Sequence, residues 1–274
     1  MRIGLTFDLR DDYLAAGYGE EETAEFDRLE TIDELEAALR QCGHDVDRIG
    51  NVRALVKRLA AGASWELVFN IAEGLRGFGR EAQIPALLEA YEIPYTFSDT
   101  LTSSVTLHKG YTKRILRDYG LPTSDFREVG SLDELSDIDL PFPLFAKPIA
   151  EGTAKGIHSG SMVTTQSELQ DAVERVLSEF RQPALIEPYL PGREFTVGIL
   201  GTGDQAAAIG TLEVELSADA EPHSYTYANK ERCESLCRFP PAPTAWRERV
   251  EPIALAAWRA LGCRDAGRVD LRAD

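Results

Sequence analysis

Apolar positions along the first hundred residues alternate between the period of a strand and the period of a helix. Short apolar runs, typical of buried parallel strands, lie at residues 2–9, 65–72 and 93–99. Apolar side chains at helical spacing lie in residues 20–42, 52–59 and 81–91. Asn51 stands where its side chain can cap the second of these helices. The alternation predicts a doubly wound α/β domain with a parallel sheet over residues 1–100.

The pattern changes after residue 100, where several strands follow one another along the chain. Helices are predicted at residues 109–119, 168–180 and 244–261, with Ser167 and Thr244 as the caps of the last two. Strands are predicted at residues 140–149, 184–190, 194–201, 205–216 and 267–274. The three prolines of the first strand favour an edge position. This part of the chain is therefore expected to be an α+β unit with mostly antiparallel strands.

Length and charge narrow the choice of function. The chain has 274 residues, 43% of them hydrophobic, which is enough for two or three compact units. No apolar stretch approaches the roughly 20 residues of a membrane helix, and the N-terminal sequence MRIGLTFDLRDD lacks the apolar centre of a signal peptide. A cytoplasmic protein with no membrane partner is expected. The net charge is 29 − 46 = −17, so nucleic acid is not an expected partner.

Cysteine and histidine positions indicate no transition-metal site. Four cysteines in a chain of this size and compartment do not suggest a disulfide framework. Cys233 and Cys237 are spaced C-x3-C with no second close pair of ligands, which favours isolated thiols over zinc. The four histidines form no HExxH or similar ligand set.

Lysine is rare in this chain, so its positions are informative. The six lysines among 29 cationic residues are Lys57, Lys109, Lys113, Lys147, Lys155 and Lys230. Compact ammonium groups suit phosphate oxygens, although random usage under a compositional bias explains any single lysine about as well. Lys147 ends an apolar run, where an unpaired ammonium group would lose hydration. A negative group is therefore expected to meet it.

The loop that follows Lys147 has the sequence EGTAKGIHSG, with glycines at 152, 156 and 160. Glycine lets backbone N–H groups approach an anion closely, because it has no Cβ atom and adopts positive φ angles. The loop can therefore cradle phosphates, although a glycine-rich turn between strands is more often a simple hairpin. Neither a Walker A loop nor a Rossmann fingerprint occurs in the sequence.

Five motifs occur along the chain in the order LHKGYTKRIL, PLFAKPIAEGTAKGI, ALIEPYLPGREFTVGILG, YTYANK and LGCRDAGRVDL. In this order they resemble the ATP-grasp ligases, and most closely the D-alanine:D-alanine ligase family, over about residues 65–274. The resemblance implies an ATP-grasp module of two α+β subdomains, residues 101–186 and 187–274, with ATP between them. Residues 1–100 would then form an N-terminal α/β substrate domain.

The resemblance also implies a role for residues of the second motif and its neighbours. Lys109 and Lys147 would contact the α and β phosphates of ATP. Gly152, with its neighbours Glu151 and Thr153, would close over the β and γ phosphates. The alternative for Lys109 is an ordinary solvated helix lysine.

The third motif would hold the nucleoside. Glu187 would accept a hydrogen bond from the adenine amino group, and the backbone around Leu190 would meet the adenine edge. Glu194 would hold the ribose hydroxyls. The alternatives are that Glu187 points to water and that Glu194 pairs with Arg193 across an exposed bend.

The last two motifs would carry the chemistry. Lys230 would reach the γ phosphate, Arg268 would stabilise the oxyanion, and Asp270 would be the first carboxylate on Mg²⁺ or Mn²⁺. The implied reaction activates a carboxylate as an acyl phosphate, which an amine attacks to give an amide, ADP and phosphate. The alternatives are an ordinary loop lysine and a strand-end ion pair between Arg268 and Asp270.

The sequence departs from the family pattern at both ends of the resemblance. The loop after the first strand, DLRDDYLAAGYGEEE, does not match the family's glycine-rich loop, although Glu20, Glu21 or Glu22 can substitute for its glutamate. The phosphate loop has Thr153 and Ala154 where serines are typical. An E-x-N stretch with the remaining magnesium ligands is expected after GRVDL and is not found before Asp274, which suggests a fragment of a longer protein.

Three functions remain open on this basis. The leading one is an ATP-dependent carboxylate–amine ligase of the D-alanine:D-alanine ligase type, which belongs to peptidoglycan biosynthesis. The second is a non-catalytic ATP-binding or regulatory protein, and the third is an ATP-grasp ligase for a different amino acid or peptide. The expected partner is a small molecule, either an amino acid such as D-alanine or a short peptide. The sequence leaves open whether the chain forms a homodimer.

Overall fold

The computed structural model describes residues 1–274, which divide into two compact units, Met1–Leu107 and His108–Asp274. None of the helices has both the length and the apolar character that crossing a membrane requires. One unit contains a parallel sheet and the other contains antiparallel sheets, which confirms the predicted combination of α/β and α+β architecture. The three domain ranges derived from the sequence, 1–100, 101–186 and 187–274, stay a prediction.

The first unit is a small parallel sheet with helices. Its strands are β1 (Arg2–Thr6), β2 (Asp45–Gly50) and β3 (Leu67–Asn70), in the spatial order β2-β1-β3. Its helices are α1 (Arg10–Ala15), α2 (Leu29–Gln41), α3 (Val52–Ala60), α4 (Gln83–Ala90) and α5 (Thr100–Leu107). Leu55, Val68 and Leu88 are fully buried where α3 and α4 cover β3. The predicted parallel α/β layer is therefore present.

Strand β2 is not evident from the hydrophobic pattern, because only Val46 and Ile49 of its six residues are buried. Its polar side chains are satisfied by partners from other elements. The Asp47 carboxylate accepts hydrogen bonds from the guanidinium groups of Arg2 at 2.8 Å and Arg58 at 2.5 Å. These pairs allow a strand with few apolar residues to lie at the edge of the sheet.

Two other details of the first unit test the sequence analysis. The Asn51 side chain accepts hydrogen bonds from the backbone N–H groups of Arg53 and Ala54, both at 3.1 Å, so the predicted cap of α3 is confirmed. The strand predicted at residues 93–99 is reduced to a single bridge between Tyr95 and Val68. That prediction was wrong, because an apolar run alone does not guarantee a continuous ladder.

The second unit contains two four-stranded sheets, with spatial orders β4-β7-β5-β6 and β10-β9-β8-β11. In the first sheet the strands are β4 (Arg127–Val129), β5 (Leu144–Pro148), β6 (Met162–Val163) and β7 (Ala184–Pro188). In the second sheet they are β8 (Glu194–Leu200), β9 (Ala207–Leu216), β10 (Cys237–Arg238) and β11 (Ala266–Arg272). The helices are α6 (Lys109–Asp118), α7 (Gln166–Arg175), α8 (Tyr227–Glu231), α9 (Cys233–Leu236) and α10 (Thr244–Ala260). All pairings are antiparallel, as expected.

Strand β5 lies inside its sheet, between β6 and β7, so the expected edge position was wrong. The prolines do not prevent this position. Pro141 and Pro143 precede the strand and Pro148 is its last residue, so the residues between them keep their backbone donors.

The alternation of side chains in these strands decides which residues face the core. In β5, Leu144 and Ala146 are buried against α7, which turns Phe145 and Lys147 to the opposite face of the sheet. In β8, Phe195, Val197 and Ile199 are buried with α10 in a shared core. The residues between them in each strand are left to line a site.

The caps of two helices differ from the predictions. Thr165, rather than Ser167, caps α7: its hydroxyl accepts from the Glu168 backbone N–H at 3.3 Å, and the Glu168 carboxylate accepts from the Thr165 N–H at 3.3 Å. Helix α10 begins at Thr244, and the capping position is taken by Pro243. The predicted caps were therefore displaced by one or two residues, an offset that periodicity alone does not resolve.

Replacing Thr165 with Ala is expected to lower the free energy of unfolding by about 1 kcal/mol, because the reciprocal capping hydrogen bonds at the start of α7 are lost. Urea denaturation measures the change. Ser167→Ala is the matched control, because this hydroxyl lies in the same helical turn and is exposed. Equal losses for the two variants would contradict the assignment of Thr165 as the cap.

Candidate nucleotide and active site

A buried carboxylate lies between two lysines at the centre of the first sheet of the second unit. Strand pairing places Glu187 of β7 opposite Phe145 of β5, on the face that also carries Lys147. The Lys147 Nζ atom lies 2.5 Å from Glu187 Oε1, and the Lys113 Nζ atom lies 2.8 Å from Glu187 Oε2. Ser124 Oγ donates a further hydrogen bond to Oε2 at 3.1 Å. The negative group that Lys147 was expected to meet is, in this structure, Glu187.

The charges of this cluster are mutually stabilised. Burial raises the pKa of Glu187, but the ammonium groups of Lys147 and Lys113 outweigh this effect and hold the pKa at about 2. Burial lowers the pKa of Lys113, and the Glu187 carboxylate opposes that change. The side chains of the three residues are at most one-fifth exposed, so solvent screens the interaction weakly. Glu187 is therefore a fixed, ionised acceptor.

The loop after β5 is closed by a second group of lysines. The Lys109 ammonium group donates to the backbone carbonyl of Glu151. Lys155 Nζ lies 2.6 Å from Glu151 Oε2, and Gln182 Nε2 donates to Glu151 Oε1 at 2.6 Å. Glu151 and the adjacent Gly152 are thus held at the base of the loop between β5 and β6.

The backbone of this loop contains two consecutive left-handed residues that are not glycine. Thr153 has φ = 47° and Ala154 has φ = 58°. Such residues are uncommon and concentrate at ligand sites, where successive N–H groups can form an anion-binding concavity. Gly156 has φ = 73°, and a Cβ atom there would lie 2.4 Å from the Cγ atom of Pro148, so only glycine fits. The loop therefore contains a run of left-handed residues of the kind that concentrates at ligand sites.

The second sheet presents a polar face across three strands. Pairing of β9, β8 and β11 aligns three rows, which are Val214–Glu194–Arg272, Leu212–Thr196–Asp270 and Gly210–Gly198–Arg268. These residues alternate with the buried side chains that pack against α10, so all of them face the same side. Glu194, Arg268 and Asp270 are brought together in this way from two motifs about 75 residues apart.

Two adjoining cavities collect most of the predicted site residues. A cavity of about 200 Å³ is lined by Lys147, Glu187, Leu190, Glu194 and Asp270, among others. A second cavity of about 550 Å³ is lined by Glu194, Lys230, Arg268 and Asp270, among others. The two share Glu194, Tyr225 and Asp270, so they form one continuous cleft. Lys109, Glu151, Gly152 and Thr153 do not line it, and lie in and beside the loop that follows β5.

Lys230 enters the cleft from α8, whose first turn is capped by the Thr226 hydroxyl. Its Nζ atom lies 5.1 Å from the centroid of the Tyr225 ring. Burial lowers the pKa of Lys230, Asp270 opposes this change, and Arg268 adds to it. Lys230 therefore lies near one other cation, Arg268, and near the carboxylates of Asp270 and Glu194, in the larger cavity of the cleft.

The remaining predicted residues have partners within the chain. Arg268 Nε lies 3.3 Å from Asp270 Oδ1, so the strand-end ion pair considered above does form. Both side chains are more than half exposed, at 64% and 55%, so this pair is weak and a ligand can compete with it. Arg193 pairs with Glu213 rather than with Glu194.

Lys113 and Arg272 are site residues to which the sequence analysis assigned no role. Lys113 lies one turn after Lys109 on α6, and this i, i+4 spacing of two rare lysines was the available signal. Arg272 continues the alternation of Arg268 and Asp270 along β11, which a strict period-2 reading of GRVDLR identifies. Its ion pair with Glu194 spans 3.0 Å.

The glutamates proposed to replace the family's first-loop glutamate lie in turns of the first unit. Glu20 Oε2 lies 3.4 Å from Arg10 Nη2, and Glu22 Oε2 accepts from the Gly19 N–H at 3.0 Å. None of Glu20, Glu21 and Glu22 lines the cavity of about 430 Å³ in this unit. A role in binding the first substrate stays a prediction for these residues.

The residues of the cleft fit a magnesium ion shared with phosphates. No cluster of three His, Cys, Asp or Glu side chains is suited to hold a metal by itself. Mg²⁺, however, usually takes one or two carboxylates and completes its shell with waters and substrate phosphates. Asp270 supplies such a carboxylate, and the Thr196 hydroxyl opposite it is buried without a hydrogen-bond partner, which indicates a polar ligand at this place.

Comparison with known proteins identifies the family. Residues 115–274 match the family described as D-ala D-ala ligase C-terminus. The chain is 35% identical over 241 residues to the D-alanine–D-alanine ligase of Bordetella avium, covering 86% of this chain and 73% of that enzyme. Two solved structures of the D-alanine–D-alanine ligase from Bacillus anthracis, the second complexed with ATP, match with TM-scores of 0.75 and 0.73 at 24% and 22% identity. They cover 100% of this chain in each case, and the chain covers 83% and 82% of them.

A further solved structure, the VanG D-Ala:D-Ser ligase from Enterococcus faecalis, matches with a TM-score of 0.71 at 19% identity, over 99% of this chain and 85% of that one. The cleft lies between the two antiparallel sheets of the second unit, and the family match and the relative at 35% identity define the class as ATP-grasp ligases, which join a carboxylate to an amine. The chain belongs to the D-alanine–D-alanine ligase family.

Replacing Glu187 with Gln is expected to lower the free energy of unfolding by about 3 kcal/mol, because two largely buried ammonium groups lose their counter-charge. Urea denaturation at neutral pH measures the loss. Asp125→Asn is the matched control, because it breaks an ion pair of 3.0 Å with Arg117 whose side chains are 73% and 46% exposed. Asp125→Asn is expected to lower the free energy of unfolding by less than about 1 kcal/mol.

The difference in the free energy of unfolding between wild type and Glu187→Gln is expected to depend on pH. The pKa of Glu187 falls from its ordinary value of 4.5 to about 2 in the folded chain, so its contribution to stability is complete above pH 4.5. The contribution is lost as the pH falls from 4.5 towards about 2. The stability difference between wild type and Glu187→Gln is therefore expected to shrink over that window, and a constant difference would contradict the assigned ion pairs.

Proposed function

We propose that this chain uses ATP to join the carboxyl group of one small amino acid to the amine of another, with release of ADP and phosphate. The observation that carries this proposal is the continuous cleft in which Lys147, Lys230, Arg268 and Asp270 meet. Cations suited to a triphosphate and a carboxylate suited to Mg²⁺ are combined there with a pocket for a base.

The proposed chemistry follows from the low reactivity of a carboxylate as an acyl donor. A carboxylate oxygen of the first amino acid takes the γ-phosphoryl group of ATP, and ADP leaves. The amine of the second amino acid attacks the resulting acyl phosphate, and the tetrahedral intermediate expels phosphate and a proton as the amide forms. Both steps gather negative charge, which fixed cations stabilise.

Roles are proposed for the residues of the cleft on the basis of their positions. Lys147 and Lys230 hold phosphates, and Arg268 stabilises the oxyanion of the tetrahedral intermediate. Asp270 holds Mg²⁺ or Mn²⁺, which would neutralise phosphate charge. Arg268 suits its role because a guanidinium group carries a fixed fork of donors and stays protonated.

The nucleoside is proposed to occupy the smaller cavity. The Glu187 carboxylate keeps acceptor capacity beyond its bonds to lysines, because two carboxylate oxygens offer about four lone-pair sites. It can therefore accept from the adenine amino group as well. The backbone at Leu190 and the Glu194 carboxylate line the same cavity and are proposed for the adenine edge and the ribose hydroxyls.

The phosphates are proposed to lie against the loop after β5. Lys109 and Lys155 hold its base through Glu151, and Thr153 and Ala154 supply the left-handed turn. The backbone of Gly152 and its neighbours is proposed to close over the β and γ phosphates. The four free cysteines agree with a cytoplasmic location, where thiols stay reduced.

The substrate class is set only in part by these features. D-Alanine is the leading candidate for both substrates, because relatives at about 35% identity carry the name D-alanine–D-alanine ligase. The Enterococcus faecalis ligase named above is a D-Ala:D-Ser ligase with the same fold, so the fold does not fix the acceptor.

The proposal predicts magnesium-dependent release of ADP that is stimulated by amino acids. The chain is supplied with ATP, Mg²⁺ and a panel of D- and L-amino acids, singly and in pairs, and ADP and the dipeptide are quantified. D-Alanine is expected to give the largest stimulation. ATP binding with no stimulation by any amino acid or short peptide would instead support a non-catalytic nucleotide-binding protein.

Replacing Lys230 with Met is expected to lower kcat by about a hundredfold, because a cation next to the reacting phosphate is removed. The fall is measured as ADP release at saturating ATP. Lys57→Met, an exposed lysine on α3 of the first unit, is the matched control and is expected to keep the wild-type rate. An unchanged kcat for Lys230→Met would remove Lys230 from the proposed machinery.

A further inference from the structure

Arg272 makes four hydrogen bonds at the edge of the smaller cavity. Its Nε donates to the Leu190 carbonyl at 2.6 Å, and its Nη1 donates to Glu194 Oε2 at 3.0 Å. Its Nη2 donates to the His223 carbonyl at 2.6 Å and to the Tyr189 hydroxyl at 3.2 Å. The guanidinium carbon lies 5.3 Å from the centroid of the Tyr189 ring. One side chain thus joins β11, β8, the segment after β7 and the loop before α8.

Two of these four acceptors are groups that the proposed function gives to the nucleoside. The Leu190 carbonyl belongs to the segment proposed for the adenine edge, and Glu194 is proposed for the ribose hydroxyls. Arg272 itself lines the cavity beside them. In this structure, a guanidinium group therefore holds the two acceptors at the nucleoside end of the cleft.

The volume of the smaller cavity also indicates that Arg272 occupies space at the nucleoside end of the cleft. Its volume is about 200 Å³, whereas ligand pockets commonly have about 300–1,000 Å³. Arg272 is only 25% exposed, so most of its side chain fills space at this end of the cleft. A nucleoside needs both the space and the acceptors, and movement of Arg272 supplies both at once.

We propose that Arg272 is a positioning residue that closes the nucleoside end of the cleft in the free chain and releases Leu190 and Glu194 when a nucleotide binds. It keeps its bonds to His223 and Tyr189, which do not belong to the proposed nucleoside contacts. This inference rests on the proposed function, because it takes the nucleoside position from it. Its consequence is that part of the nucleotide's binding free energy is spent in displacing Arg272.

The test measures the affinity of wild type, Arg272→Met and Arg272→Lys for three ligands by isothermal titration calorimetry. The ligands are ATP with Mg²⁺, adenosine and inorganic tripolyphosphate. Arg272→Met is expected to bind ATP and adenosine about tenfold more tightly, because charge-assisted bonds no longer have to be broken. Tripolyphosphate affinity is expected to stay unchanged, because Arg272 contacts no proposed phosphate ligand. The affinity of Arg272→Lys for ATP and adenosine is expected to lie between those of wild type and Arg272→Met, because lysine lacks the fork that reaches both acceptors.

Thermal unfolding gives a second readout that a purely structural role would not produce. Arg272→Met is expected to lower the melting temperature of the free chain, because Glu194 loses its partner, and to increase the rise that ATP produces. Arg193→Met is the matched control, because the neighbouring arginine pairs with Glu213 and is expected to leave nucleotide affinity unchanged. In a Glu194→Gln background the gain from Arg272→Met is expected to shrink.

The possible outcomes separate the inference from the proposed function. If wild type binds ATP, and Arg272→Met binds adenosine with equal or lower affinity, Arg272 does not compete with the nucleoside and the inference is overturned alone. Equal tightening of ATP and tripolyphosphate would also overturn it, because the effect would then be a general change of charge. If neither wild type nor the variants bind ATP, the proposed function fails and the inference fails with it.

Discussion

The site of the second unit depends on one buried carboxylate held between two lysines. Glu187 joins β7 to β5 through Lys147 and to α6 through Lys113, at 2.5 and 2.8 Å. Without the carboxylate the two ammonium groups would repel each other in a place where water screens them poorly. The cluster therefore fixes α6 against the sheet and also holds the Lys147 side chain in place along the cleft. A purely apolar contact would hold the helix but leave no cation there.

In the second sheet, side chains that pack in the core and side chains that line the cleft alternate along each strand and so lie on opposite faces. One face of β8 carries Phe195, Val197 and Ile199, which are 0–1% exposed and pack against α10. The other face carries Glu194 and Thr196, which align with Arg272 and Asp270 of β11. Because each strand turns successive residues to opposite faces, a shift of one residue in pairing would bury the charges and expose the core. The buried face therefore fixes the register of the reactive face.

Much of this arrangement could be predicted from the sequence, because the relevant signals are local. Periodicity located most strands, and the motifs around Lys147, Glu194 and Asp270 indicated the residues that line the cleft. The partners that complete these residues could not be predicted locally. Lys113 and Glu187 are 74 residues apart, and Arg272 and Glu194 are 78 apart, so neither pair leaves a periodic signal. The same limit explains β2, whose polar residues are satisfied by Arg2 and Arg58.

The net charge of −17 is compatible with binding a triphosphate because the relevant charges are local. The Debye length at physiological ionic strength is about 8 Å, so acidic side chains on distant surfaces contribute little to the potential inside the cleft. Five of the six lysines lie in the second unit, and four of them, Lys109, Lys113, Lys147 and Lys155, hold or flank the two ends of β5 through Glu187 and Glu151. The Glu187 carboxylate orders two ammonium groups, and Glu151 orders two more, Lys155 through its carboxylate and Lys109 through its backbone carbonyl. These side chains are therefore ordered before any ligand binds, so under the proposed function the entropy cost of gathering cations around a phosphate is reduced.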